Sequence, residues 1–285
     1  MVSSAQWRAN RGVRRKADTP VIFARQRLVA ALAASLLLTG CSGGIAGSGA
    51  ENPEAAPEAS TANPTAPSSR DYFASALKFT RLVHLGEHTR AGSLVEPSSP
   101  AARYIAHQLA DTRAYKIDGL GDSNVESDWT IDGDDKTGKV RIKPSDGSAS
   151  YTWERFTYSA AGKITGWTGA SGPIESALWT RESQDSELGV TVRLVSAYRT
   201  NIGAMRMVVD YSTNRDVDLS YTASYAARGG DRQNSTEQSS PSELDKGEET
   251  FTHYSFADAK FGGTLRMKVA STKGGRTADL VLAIR

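Results

Sequence analysis

Residues 151–169 read YTWERFTYSAAGKITGWTG. Tyr151 to Tyr158 is a run of aromatic and β-branched residues with rings on both faces, as suits a pleated strand. Ala161-Gly162-Lys163 then supplies a turn, and Ile164 to Trp167 resumes an apolar pattern. The order predicts a long strand, a tight return and a partner strand, with the hairpin running from Phe156 to Trp167.

Upstream, Val125, Ser127, Trp129 and Ile131 alternate with Glu126, Asp128 and Thr130 before Asp132-Gly133-Asp134-Asp135, which reads as a turn. Val140 and Ile142 carry a short strand that Ser145-Asp146-Gly147 returns. Further back, Tyr72, Phe73, Ala76, Phe79, Leu82 and Val83 recur near helical spacing, so a helix is expected from Asp71 to about Thr89. A second helix is expected after Ser99, a suitable N-cap, with Pro100 in its first position and Tyr104, Ile105 and Leu109 on one face.

Two helices followed by a meander of strongly aromatic strands resemble the cone of the nuclear-transport-factor-2-like family. The resemblance covers residues 70–172 and rests on element order and on the hairpin quoted above. It implies an α+β domain in which helices pack on a curved antiparallel sheet around a pocket. Candidate pocket or docking residues are then Tyr104, Trp129, Tyr151, Trp153 and Tyr158, each of which could equally be ordinary core. Some members of that family are isomerases or dehydratases using buried acid–base pairs; the inward candidates here are Asp128, His84, Tyr104 and Arg155.

After Ser171-Gly172-Pro173 the pattern becomes purely alternating. Val190 to Arg199, Met205 to Val209, Val217 to Ala223, Thr250 to Phe256, Thr264 to Ala270 and Ala278 to Ile284, with Leu178-Trp179 as a possible edge, give about seven strands. Residues 173–285 therefore resemble an all-β immunoglobulin-like sandwich, without the inter-sheet disulfide of antibody domains. Gly229 to Glu248 has almost no apolar residue and is expected to be a long loop.

The single cysteine, Cys41, follows an eleven-residue apolar run, Leu28 to Leu38, too short to span a bilayer, which needs about 20 residues. Seven cations and one acid precede it. That is the layout of a secretory signal over residues 1–40. Leu38-Thr39-Gly40-Cys41 resembles the lipobox of bacterial lipoproteins, which implies lipidation of Cys41 and attachment of the chain to the cell membrane on its extracellular or periplasmic side. Several acyl chains hold a protein to a membrane where one does not. Residues 41–69, rich in Gly, Ala, Pro, Ser and Thr, read as a disordered tether.

The whole chain has 34 basic and 32 acidic residues; removing seven and one with the signal leaves 27 and 31, a net charge near −4. No basic stripe points to nucleic acid. His84 and His88, four apart on the expected helix, lack the His-Glu-x-x-His arrangement, and the acidic turn at Asp132 lacks calcium-loop spacing, so no metal or cofactor is assigned. No nucleophile elbow or catalytic motif is present, and no catalytic residue is assigned. The expectation is an exported, lipid-anchored, non-catalytic binding or protein-interaction module whose partner is an envelope protein, a cell-wall component or a small apolar ligand. The alternative is a tethered small-molecule enzyme, isomerase- or dehydratase-like, or a ligand carrier using the first-domain pocket.

Overall fold

Why the first helix stops where it does sets the geometry of the N-terminal half. In the computed structural model, which describes residues 69–117, 129–145, 149–219, 222–239, 241–272 and 274–284, α1 is Ser69–His84. Gly86 takes φ +72°, its N–H bonds Val83 O, and the N–H of Glu87 bonds Leu82 O, the paired bonds of a glycine-terminated helix end. The expected helix to Thr89 is thus too long, and His88 opens a separate short helix, α2 (His88–Gly92), so His84 and His88 share no helix face. Ala76, Phe79, Thr80 and Val83 form the buried stripe of α1. Helix α3 (Pro100–Ile117) starts as expected, the Ala102 N–H donating to Ser99 Oγ at 3.1 Å. It is buried on both long sides, through Tyr104, Ile105 and Gln108 and through His107, Asp111, Ala114 and Tyr115, whereas Leu109 is exposed, contrary to expectation.

Five antiparallel strands follow in sequence order: β1 (Trp129–Asp134), β2 (Lys139–Pro144), β3 (Tyr151–Tyr158), β4 (Ile164–Gly169) and β5 (Gly172–Pro173). The first turn lies at Asp135–Gly138, after rather than within Asp132–Asp134, which belong to β1. Asp134 closes that turn by accepting from Thr137 Oγ1 at 2.8 Å and from the Lys136 N–H at 3.0 Å. Gly133 is needed in β1 because a Cβ there would meet the Phe73 ring of α1 at 2.5 Å. Between β3 and β4 the register slips from Glu154 to Thr157, and at that bulge Arg155 is held at φ +54°.

A 3-10 turn, Ile174–Ala177, leads into the remaining strands. One six-stranded antiparallel sheet contains β6 (Leu178–Trp179), β7 (Gln184–Glu187), β8 (Val190–Arg199), β9 (Met205–Thr213), β13 (Glu237–Ser239) and β15 (Glu249–Phe256). The other contains β10 (Val217–Leu219), β11 (Ser224–Ala226), β12 (Arg232–Asn234), β14 (Glu243–Leu244), β16 (Gly263–Ser271) and β17 (Thr277–Ile284). Alternation puts Val190, Val192, Met207, Val209, Leu265, Met267, Leu280 and Leu282 into one core shared by both sheets. Twelve short strands therefore stand where about seven were expected. The stretch 229–248, expected as a loop, holds three of them, β12, β13 and β14, with Leu244 buried.

The chain is mostly β-sheet with few helices, and one sheet curls into a half-barrel. All described residues fall in one compact unit. Helix α3 touches β4 on one side and β8, β9 and β15 on the other. In β15, Thr252, His253, Tyr254, Ser255 and Phe256 are all buried, because one face looks into the shared core and the other looks at α3. Cys41, the signal at 1–40, the tether up to 68, and Val125 to Asp128 lie outside the described residues.

Candidate functional site

The inner face of the five-stranded sheet is filled by rings. Trp153 of β3 and Trp167 of β4 lie 4.7 Å apart between centroids, and Phe79 of α1 sits 5.2 Å from Trp167. Tyr104 of α3 stands edge-on to Trp153, Trp167 and Tyr198 at 6.0, 5.1 and 5.1 Å. Edge-to-face contacts of this kind each add about 0.5–1.5 kcal/mol beyond area burial. Trp153 is 1% exposed and Tyr104 4%. Trp129 is half-buried at the rim, its ring 5.0 Å from His84.

His84 links this interior to its rim. Its Nδ1 is 2.8 Å from Thr80 O, an acceptor, so Nδ1 carries the proton; Nε2, at 2.8 Å from Tyr151 Oη, then accepts the phenol hydrogen. Burial, opposed by the Thr80 bond and helped by nearby His88, lowers the His84 pKa to about 4. The imidazole is neutral at pH 7, and both of its nitrogens are engaged.

A second group of polar side chains lies where α3 meets β8, β9, β13 and β15. His107 Nδ1 is 2.8 Å from Ser196 Oγ. One turn on, Asp111 Oδ1 accepts from His253 Nδ1, and Oδ2 faces Arg206 Nη1 at 3.5 Å. The Tyr115 hydroxyl donates to Glu237 Oε1 at 2.6 Å, and its ring lies 4.7 Å from the His253 ring. Burial pushes the Asp111 carboxyl upward, but the hydrogen bond from His253 and the electrostatic influence of His253, His107 and the Arg206 guanidinium outweigh it and hold it at about 2. Burial also lowers His107 to about 4, against the pull of Asp111. Serine, histidine and aspartate are the residue types of nucleophilic catalysis, which requires that the nucleophile reach a substrate. Here Ser196 is 3% exposed and His107 1%, both sealed between α3 and the sheet, so the group acts as a seam that fixes the helix to the sheet.

Beside the filled interior is an open cleft of about 470 Å3, bounded by Tyr72, Phe73, Phe156 and Tyr158 with Lys139, Glu154 and Arg155 at its edge. Tyr158 Oη donates to Tyr72 O at 2.7 Å, and the two rings lie 4.6 Å apart. Lys139 Nζ is 3.1 Å from Glu154 Oε2. The Arg155 side chain is 79% exposed, so it points outward and not into the cone as expected.

Of the five expected site residues, Tyr104 and Trp153 form the closed interior, Trp129 and Tyr151 its rim, and Tyr158 reaches the open cleft. Among the described residues, no group of three or more His, Cys, Asp or Glu is placed to hold a metal ion. The seam was missed: its available signal was the pair His107 and Asp111, four apart on α3, matched by a histidine in a strand of bulky residues. No protein-family model, curated relative or solved structure matches the chain.

Proposed function

We propose that this is an exported lipoprotein, anchored through acyl chains on Cys41 to the outer side of the cell membrane, that works as a binding or protein-interaction module and not through chemistry on a substrate. In finer terms the reading is a nuclear-transport-factor-2-like cone followed by an immunoglobulin-like sandwich. The observation that carries it is the contrast between the two aromatic surfaces: the inner face of the five-stranded sheet is occupied by the chain's own rings, while the cleft beside it presents Tyr72, Phe156 and Tyr158 together with Arg155. Meander order β1 to β5 with helices on one face supports the cone, and two sheets around a shared aliphatic core support the sandwich. A backbone held in the left-handed region by a residue other than glycine costs on the order of 1–3 kcal/mol, and such residues cluster at functional sites. Arg155 is such a residue, at the mouth of the cleft.

The test is photo-crosslinking in the source cells, with a photoreactive phenylalanine at Phe156 and, as control, at Arg276. Adducts specific to Phe156 that disappear with Arg155→Glu are expected; equal labelling at both positions sinks the reading. Membrane attachment is checked by fractionation: Cys41→Ala should move the chain to the soluble fraction. Native mass spectrometry of the protein from its own envelope addresses the carrier alternative, since a bound mass lost on denaturation would favour that role.

A further inference from the structure

We propose that the outer face of the sheet β12–β11–β16–β17 is an oxyanion site for a phosphate-bearing ligand, a site that goes beyond the function proposed above and does not depend on it. Along β16 the sequence Leu265-Arg266-Met267-Lys268-Val269 alternates, so that Leu265, Met267 and Val269 enter the core and Arg266 and Lys268 face out. Register then fixes their neighbours. Arg266 lies opposite Ser224 of β11, which lies opposite Asn234 of β12; Lys268 lies opposite Asp279 of β17; Arg232 stands two residues from Asn234 on the same face.

These side chains, with Thr222, line a concave site of about 270 Å3. Neighbours two apart on a strand are separated by about 6.8 Å and strands by about 4.8 Å. Arg266 is therefore the central cation, with Lys268 one step along β16 and Arg232 two strands across and one step the other way, and the long side chains of both line the same concave site as Arg266. Against them stands one carboxylate, Asp279, a local excess of two positive charges on a mature chain that is net acidic. Arg193 is paired with Asp210 and Lys139 with Glu154, whereas among the described residues Arg232, Arg266 and Lys268 make no ion pair and share one concave site.

The chemistry favours phosphate over a carboxylate. A carboxylate has one charge and two oxygens. This site offers two guanidinium forks, an ammonium, the Ser224 hydroxyl and the Asn234 amide, more donors and more charge than one carboxylate can use. A phosphate dianion or a pair of linked phosphates matches both. The recessed shape, with no apolar side chain among its lining residues, fits a phosphate entering from solution better than a flat membrane surface.

Inorganic pyrophosphate titrated calorimetrically into the full-length chain tests this. One saturable site is expected, weakened at least tenfold by Arg266→Gln with Lys268→Gln, and tightened several-fold by Asp279→Asn, which removes the opposing charge. All variants keep the leader cations, so those cancel in the comparison, and near-ultraviolet circular dichroism checks that each is folded. Pyrophosphate binding that is absent, or that ignores both changes, overturns the site. A second arm identifies the source of the phosphate. Vesicles of phosphatidylglycerol in phosphatidylcholine, mixed with Cys41→Ala chain to remove the anchor, should not carry it down. If they do, and only with Arg266 and Lys268 intact, the phosphate belongs to a lipid headgroup. Failure here leaves the photo-crosslinking result at the Phe156 cleft untouched, so the two ideas fail separately.

Discussion

The two cores are filled by different chemistry. Behind the five-stranded sheet the space is taken by Phe79, Tyr104, Trp153 and Trp167, large rigid rings that span an irregular gap between helices and a bulged sheet. Between the two six-stranded sheets it is taken by Val190, Val192, Met207, Val209, Leu265 and Leu280, smaller groups in alternating rows. Matched sheets can be zipped by repeating aliphatic side chains, whereas a helix-to-sheet gap needs a few bulky, well-fixed ones. Loss of one ring in the first region therefore leaves a larger void than loss of one aliphatic group in the second.

The largest effects are expected from emptying one position in each core. Trp153→Ala is expected to destabilise by about 4 kcal/mol and Leu280→Ala by about 3 kcal/mol in urea unfolding, because cavity and transfer costs both scale with the volume removed. An equal or reversed order would mean that the ring cluster relaxes around the gap. Next is the seam that joins the regions. Asp111→Ala leaves Arg206 without its carboxylate and His253 without its acceptor, and about 3 kcal/mol is expected from breaking a buried charged contact. The sharper readout is cooperativity: wild type should unfold in one transition by both near-ultraviolet and far-ultraviolet signals, and the variant in two. A single coincident transition in the variant removes the seam from the argument.

Acid distinguishes the regions a third way. His84 and His107 have folded-state pKa values of about 4 against an ordinary 6.5. As pH falls below 6.5 the unfolded chain takes up protons that the folded one refuses, so their contribution is full above 6.5 and gone by about 4. Between pH 7 and 5 that amounts to roughly 2 kcal/mol per histidine. Asp111 runs at lower pH: its carboxylate supports the fold above 3.8 and loses that support as pH falls toward 2. The melting temperature should drop between pH 7 and 5, with a shallower slope in His84→Gln and again in His107→Gln. A flat profile would show that neither ring stays buried and neutral. The smallest effect has the opposite sign: Arg155→Gly relieves the left-handed backbone and should raise stability by about 0.5–1 kcal/mol while reducing crosslinking at the cleft.

Where local chemistry decided the structure, it could be read. The bounds of β3 follow from the aromatic run and Gly162, and the start of α3 from Ser99-Pro100. Gly86 was also visible, but the apolar spacing on either side of it suggested one helix where the backbone makes two. The polar strands β12 to β14 had no alternation to betray them, because edge strands have little core to face and only Leu244 is anchored. The seam was beyond reach for a different reason. His107–Ser196, Arg206–Asp111 and His253–Asp111 join residues 89, 95 and 142 positions apart, and no periodicity in a single segment encodes such a meeting.

The position of α3 between two sheets has a mechanical consequence. A pull applied at Ser69 and resisted at the far sheet has no backbone hydrogen-bond ladder to follow from β1–β5 into β6–β17. Apart from the covalent chain, load passes sideways through side chains: through α3, from Tyr104 against the rings to Asp111 against His253 and Arg206, and through the β8–β9 turn, where Ser171 Oγ donates to Thr200 O. The α3 contact is stiff against sliding as long as its charges stay paired, and slackens when they do not. Tension and acidity would then act on the same few atoms.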